Sequence, residues 1–175
     1  MQTFLPYSDF RECARILDNK RLNKQIVEAY QIYTDRVPQK NHPACLMWAN
    51  HKTALTMYMG MMCIEYNTRF NKPHSVVEKV FAVHGDDICF YLSLRERPVP
   101  LFARDTLVNL SHCVNLVRKD PDFYGPQLEC RTGFLSKIVY GRYVELDEFP
   151  EGYYWPVEPI GKKARQDREN WLNFK

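Results

Sequence analysis

The fold is decided by residues 43–70, PACLMWANHKTALTMYMGMMCIEYNTRF. Proline suits the first turn of a helix, and after Pro43 apolar residues recur on almost every face. A helix that is apolar all round is buried, so this stretch predicts one long central helix. Gly60 costs it about 1 kcal/mol relative to alanine and predicts a close backbone approach. The five methionines are interpreted as core filler rather than as a metal or haem site.

Two helices are predicted before the central one. Ser8 and Asp9 are good helix caps ahead of an apolar stripe with helical spacing. The stripe loses register around Asp18 and then restarts. A kink or short break is therefore expected there, followed by a second helix that runs to about Asp35.

The chain after the central helix changes character along its length. Residues 75–98 predict two short helices, with a strand as the alternative for the second, whereas Asp105 caps an apolar helix that stops at Asp120. Glycine, proline and aromatic residues then become frequent and predict an irregular segment that wraps the helices, with a strand or short ribbon at 137–143. A last helix at 163–174 is expected to dock on the core.

Length and composition indicate one globular domain. The 175 residues are 45% hydrophobic and 26% charged, which excludes a disordered or fibrous chain, and no repeat or linker divides them. We expect a single, mainly α-helical domain over residues 1–175. No apolar run is long enough to span a bilayer, so neither membrane insertion nor secretion is expected. Six scattered cysteines without a CxxC pair are interpreted as reduced core thiols of an intracellular protein.

The charge balance alone does not identify a partner. Lys and Arg number 24 against 21 Asp and Glu, a formal charge of +3, although residues 1–34 and the tail 162–168 carry basic clusters. No P-loop, dinucleotide fingerprint, nucleophile elbow or metal-ligand cluster is present. Most nucleotide- and metal-dependent enzymes are therefore disfavoured, and we expect neither a metal nor a cofactor.

One helix face joins a carboxylate to cations. Glu28 lies one turn beyond Lys24 and two turns beyond Arg21 on the second predicted helix. Taken alone, these residues favour a surface ion pair worth roughly 0.2–0.5 kcal/mol. In the same way, His112 is explained as a satisfied core histidine and Lys119 as a cation at a helix C-terminus.

Four segments together resemble the bacterial and phage pyrimidine-dimer DNA glycosylases of the endonuclease V type. They are LDNKRLNKQIVEA at 17–29, NHPACLMW at 41–48, NLVRKDPDFYGP at 115–126 and FPEGYYWPV at 149–157. Residues 75–98 and 127–148 have no counterpart in the short phage enzyme. The resemblance implies a metal-free, all-α domain that binds damaged double-stranded DNA and flips a base out of the stack.

The resemblance also implies the chemistry. An α-amine attacks the anomeric carbon, the base leaves, and the resulting imine permits β-elimination, while a carboxylate stabilises the cationic intermediate and moves protons. Glu28 falls on the catalytic glutamate of the family. The phage enzyme exposes a threonine amine, whereas Thr3 is internal here. The amine of Met1 is therefore the predicted nucleophile, with Lys20 or Lys24 as the alternative.

The DNA-contacting residues follow from the same resemblance. Arg21 falls on a basic position, His42 on a histidine at the opening of the long helix, and His112 on an arginine that faces DNA. Phe123 and Tyr124 match an aromatic pair suited to stacking on unstacked bases, worth about 1–3 kcal/mol per base. The predicted DNA-binding set is Arg21, Lys24, His42, His112, Lys119, Phe123 and Tyr124.

The sequence favours a DNA-repair glycosylase with associated strand nicking, acting on a pyrimidine dimer or another altered pyrimidine. Two alternatives stay open: a non-catalytic DNA- or RNA-binding protein of the same fold, and a glycosylase of modified rather than damaged bases. We expect a cytoplasmic, nucleoid-associated monomer whose partner is duplex DNA carrying a lesion or modified base. A phage origin also stays open.

Overall fold

The computed structural model describes residues 2–157 and 159–174, and within these ranges it is helical, with no β-strand. The helices are α1 (Phe10–Ile16), α2 (Asn19–Tyr33), α3 (Pro43–Trp48), α4 (Lys52–Arg69), α5 (Ser75–Ser93), the short 3-10 helix η1 (Leu101–Arg104), α6 (Thr106–Lys119), α7 (Pro121–Tyr140) and α8 (Lys162–Asn173). The predicted mainly α fold is confirmed. None of the described helices has the length and apolarity needed to cross a bilayer.

The predicted break between the first two helices is confirmed, and each helix has its own N-terminal cap. Asp9 accepts hydrogen bonds from the first backbone N–H groups of α1, and Asp18 does the same for α2. Each cap satisfies N–H groups that have no partner inside the helix. The two helices therefore start independently, and Leu17 between them is completely buried.

The central helix is interrupted where one helix was predicted. α4 is surrounded by α1, α2 and α5 and carries ten buried residues, but it begins only at Lys52. Residues 49–51 between α3 and α4 are all exposed, so helix there would bury no apolar surface. The chain instead turns, with the N–H of His51 donating to the carbonyl of Trp48 at 2.9 Å.

Gly60 lies at a close contact between α4 and α5, as predicted, although the neighbour is a side chain rather than a backbone. A Cβ at Gly60 would lie 2.7 Å from Cγ1 of Ile88. The prediction of two short helices, or a helix and a strand, in residues 75–98 is wrong, because α5 runs unbroken through them. Its buried residues keep helical spacing on both sides of Gly85, where a Cβ would meet nothing within 4 Å.

The predicted ribbon at 137–143 is also wrong. α7 packs along α6 and continues to Tyr140, because Leu128, Thr132 and Leu135 keep a buried stripe with helical spacing. The helix ends at Gly141, which adopts a left-handed conformation (φ 71°) and donates its N–H to the carbonyl of Lys137. Among the described residues, the irregular, aromatic segment is therefore confined to 141–157 and 159–161.

The C-terminal helix docks on the core, as predicted. Trp171 of α8 is completely buried and stacks on Phe149 with a centroid distance of 5.8 Å. Its indole N–H donates to the carbonyl of Gly152. The thiols fit their prediction less well, because Cys89 and Cys130 are exposed while the other four cysteines are buried.

Candidate active site

The N-terminal arm, which we define as residues 2–6, is inserted into the helical core. Thr3 and Leu5 have no exposed surface, and Phe4 retains only 5%. The Trp48 indole donates to the hydroxyl of Thr3 at 2.9 Å, and the Asn109 amide donates to the carbonyl of Leu5 at 2.8 Å. Contacts from α3 and α6 thus hold the arm in one position.

Gln25 of α2 joins the N-terminal arm to the helix that carries the candidate carboxylate. Its side-chain oxygen accepts from the N–H of Phe4 at 3.0 Å and from the hydroxyl of Tyr58 at 2.8 Å. Its side-chain nitrogen donates to the carbonyl of Gln2 at 2.8 Å and lies 3.4 Å from Glu28 Oε2. Gln25 is 1% exposed, so water does not compete for these hydrogen bonds, and the amide fixes the distance between the N-terminal arm and α2.

Glu28 lies next to Gln2, the first residue that the structure describes. Its Oε2 accepts a hydrogen bond from the backbone N–H of Gln2 at 3.0 Å, and its Oε1 lies 3.8 Å from Nζ of Lys24. Glu28 is only 8% exposed, whereas the side chain of Lys24 is 69% exposed. Met1, the predicted nucleophile, lies outside the described residues and is bonded to the nitrogen that Glu28 contacts.

His112 of α6 supports the N-terminal arm from the opposite side. Its exposed fraction is 0%, and burial lowers its pKa to about 3, so the ring is neutral at physiological pH. Nδ1 accepts the N–H of Leu5 at 2.6 Å, and Nε2 lies 3.1 Å from the side-chain nitrogen of Gln2. The predicted contact of His112 with DNA requires exposed surface that the ring lacks.

A cleft of about 1050 Å³ opens beside Glu28 and brings together five of the predicted site residues. These are Arg21, Lys24, Glu28, His42 and Lys119. Lys20, Lys40 and Lys163 add three further cations, against two lining carboxylates, those of Glu28 and Asp167. A groove with this charge suits a polyanion.

The second wall of the cleft comes from the C-terminal part of the chain. The cleft is lined there by Tyr153, Trp155, Ile160 and Lys163. Trp155 is buried and meets the ring of His42, another lining residue, edge-on at 5.7 Å. We did not predict these residues as part of the site, although the segment 149–157 and the basic tail both stood out in the sequence.

Arg21 lines the cleft and is paired there with carboxylates. Its Nη1 lies 2.5 Å from Asp18 and 3.8 Å from Asp120. The hydroxyl of Tyr124 donates to Asp18 at 2.6 Å. Burial raises the pKa of the Asp18 carboxyl, but the hydrogen bonds from Tyr124 and Arg21 outweigh that effect and hold it below its usual value.

The predicted aromatic pair does not line the cleft. Tyr124 is completely buried, so its ring cannot stack on a base in this structure, and its hydroxyl supports Asp18 instead. Phe123 is 39% exposed and meets the Tyr124 ring edge-on at 4.8 Å. Among the described residues, no group of three His, Cys, Asp or Glu side chains is placed to hold a metal ion.

Comparison with known proteins supports the resemblance. Residues 1–78 match the family model of the pyrimidine dimer DNA glycosylases. No curated protein and no solved structure matches the chain. The matched segment contains the N-terminal arm, Gln25, Glu28 and His42. The C-terminal wall lies outside it.

Proposed function

We propose that this protein is a DNA N-glycosylase with abasic-site lyase activity, which excises a damaged pyrimidine such as a pyrimidine dimer through a covalent imine. One observation carries the proposal: the buried carboxylate of Glu28 contacts the backbone nitrogen of residue 2 within a basic cleft. The family match over residues 1–78 supports the same function.

The amine of Met1 is the nucleophile in this proposal. An α-amine ordinarily has a pKa of about 7.7–8.0, so part of it is neutral at cellular pH. It attacks C1′ of the damaged nucleotide, the bond from C1′ to the base breaks, and the base leaves with a proton. The sugar ring then opens, and the amine and C1′ form an imine with loss of the ring oxygen's bond to C1′.

Glu28 moves the protons in the proposed reaction. As a carboxylate it stabilises the positive charge that develops at C1′, and it accepts a proton from C2′ of the imine. Loss of that proton expels the 3′ phosphate by β-elimination, and hydrolysis of the product imine returns the amine. Lys24 is the alternative amine, since its Nζ lies 3.8 Å from Glu28 Oε1.

The cleft provides the binding site for the substrate. Its cations neutralise backbone phosphates, and each phosphate contact releases counterions, so affinity for duplex DNA should fall with salt. Sites for small molecules occupy roughly 300–1,000 Å³, and a cleft of about 1050 Å³ therefore has room for an extrahelical nucleotide. An unstacked lesion enters more easily than an intact base, because less stacking is lost.

Borohydride trapping tests the proposal. The protein is incubated with duplexes that contain an abasic site or a thymine dimer, reduced, and the cross-linked residue is mapped. We expect a cross-link at Met1, and Glu28→Gln should slow base release by at least about 100-fold with duplex affinity kept within a few-fold. Glu78→Gln, an exposed change on α5, is the matched control.

Other outcomes identify the alternatives. A cross-link at Lys24 or Lys20 would show that a side-chain amine is the nucleophile. A protein that binds duplex DNA but never forms a cross-link would be a binding protein of this fold. Release of a modified rather than a damaged base would identify the third candidate.

A further inference from the structure

An exposed apolar side chain lies on the edge of the basic cleft. Ile160 is 53% exposed and lines the cleft, as do the cationic side chains of Lys40 and Lys163. It belongs to the C-terminal wall, outside the residues that match the glycosylase family. If this part of the cleft bound only phosphates, a polar or cationic residue would bind them more tightly than isoleucine, which offers neither a charge nor a hydrogen bond.

The loop that carries Ile160 is held from both sides. Arg165 Nε donates to the carbonyl of Pro159 at 2.8 Å, immediately before Ile160. Arg168 Nε donates to the carbonyl of Trp155 at 3.0 Å, and α8 begins directly after Gly161. Both arginines belong to α8, whose Trp171 is buried in the core. Ile160 is thus an exposed side chain on a fixed support.

A fixed apolar side chain at a DNA site has a known physical use. When a base leaves the stack it leaves a gap between its neighbours, and proteins fill such gaps with Phe, Leu, Ile, Met or Pro. The filling residue must be accessible before DNA binds and must not yield when pressed between bases. Ile160 meets both conditions.

We propose that Ile160 inserts into the base stack of bound DNA and occupies the space that the extrahelical nucleotide vacates. The inference rests on the proposed glycosylase function and assigns this role to a residue of the C-terminal wall. Residues such as Lys119 bind the backbone, whereas Ile160 holds the unstacked state. Its loss should therefore affect unstacking and excision more than affinity for undamaged duplex.

The test measures unstacking without chemistry. 2-Aminopurine, whose fluorescence rises when it unstacks, is placed beside a tetrahydrofuran abasic-site analogue in a duplex and titrated with wild-type protein, Ile160→Ala and Ile160→Leu. We expect wild type and Ile160→Leu to raise the fluorescence, and Ile160→Ala to lose most of the rise and to excise a dimer about 10-fold or more slowly. Its affinity for undamaged duplex should stay within about 2-fold of wild type.

Leu172→Ala is the matched control, because Leu172 is 47% exposed on α8 and does not line the cleft. It should behave as wild type in both assays. An equal rise for Ile160→Ala and wild type, with loss of excision in Glu28→Gln, would overturn the role of Ile160 and leave the proposed function intact. A wild-type protein that neither excises a dimer nor forms a cross-link would contradict the function itself.

Discussion

His112 should make the stability of the protein fall as the pH falls below neutral. Its pKa is about 3 in the folded protein, against 6.5 for an ordinary histidine, because the buried ring is not solvated. Between these values the unfolded chain binds a proton that the folded chain excludes, so acid favours unfolding. The contribution to stability is complete above pH 6.5 and is lost on the way down to about pH 3.

The size of the effect follows from the two pKa values. One pKa unit corresponds to about 1.36 kcal/mol, so His112 contributes up to about 5 kcal/mol in all, and about 2 kcal/mol of that is already lost at pH 5. A small domain is stable by only about 5–15 kcal/mol, so this loss is measurable. Protonation also removes the acceptor for the N–H of Leu5 and so weakens the N-terminal arm.

Urea unfolding at several pH values between 8 and 4.5 measures this loss. His112→Asn keeps a neutral acceptor and does not titrate, so its free energy of unfolding should fall less with acid than that of wild type, by about 2 kcal/mol at pH 5. Burial also lowers the pKa of His42, but both proteins retain that residue and the difference isolates His112. His51→Asn, at an exposed position, is the control. Parallel curves for wild type and His112→Asn would refute the reasoning.

Four further substitutions test the cleft and the core. Lys119→Ala should lower the slope of log affinity for duplex DNA against log salt concentration by about one unit in magnitude. Lys79→Ala on α5 is the control and should leave this slope unchanged. Equal slopes for wild type and Lys119→Ala would exclude a phosphate contact. Gly85→Ala should stabilise the protein by about 0.5–1 kcal/mol in urea unfolding, because a methyl group meets nothing there. Gly60→Ala should instead destabilise the protein by about 1 kcal/mol, because overpacking against the buried side chain of Ile88 outweighs the gain in helix propensity. If Gly85→Ala and Gly60→Ala changed the stability in the same direction, the close contact at Gly60 would be contradicted. Tyr140→Phe should raise the free energy of unfolding by about 1 kcal/mol in the same assay, because the buried hydroxyl has no partner among the described residues, and a loss of stability would reveal one.

Local sequence signals predicted the helices correctly where capping residues and apolar stripes agree. Asp9 and Asp105 mark helix starts that the structure confirms, because a capping carboxylate acts on the next few residues. The predictions were wrong where burial decides whether a helix continues or ends. The exposed turn at 49–51, the unbroken α5 and the last turn of α7 depend on what each residue packs against, and spacing alone does not show that.

The candidate site divides in the same way. Glu28 and Lys24 share a face because helical geometry requires it, and the resemblance adds His42 from another helix. Gln25 and Ile160 were missed, because their importance lies in contacts with distant parts of the chain. His112 and Tyr124 were assigned to the DNA surface by the resemblance, yet each is buried and uses its polar atoms to position other residues.

The insertion of the N-terminal arm has a consequence for the protein's motions. The ends of most domains fray, and their amide hydrogens exchange with solvent at little cost. Here the backbone N–H groups of Phe4 and Leu5 donate to the buried side chains of Gln25 on α2 and His112 on α6. They should exchange almost as slowly as those of the central helix, since releasing them requires the core itself to open. The contact between Glu28 and the N-terminal arm would then have no locally unfolded state of low free energy, and on heating it would persist until the whole domain unfolds.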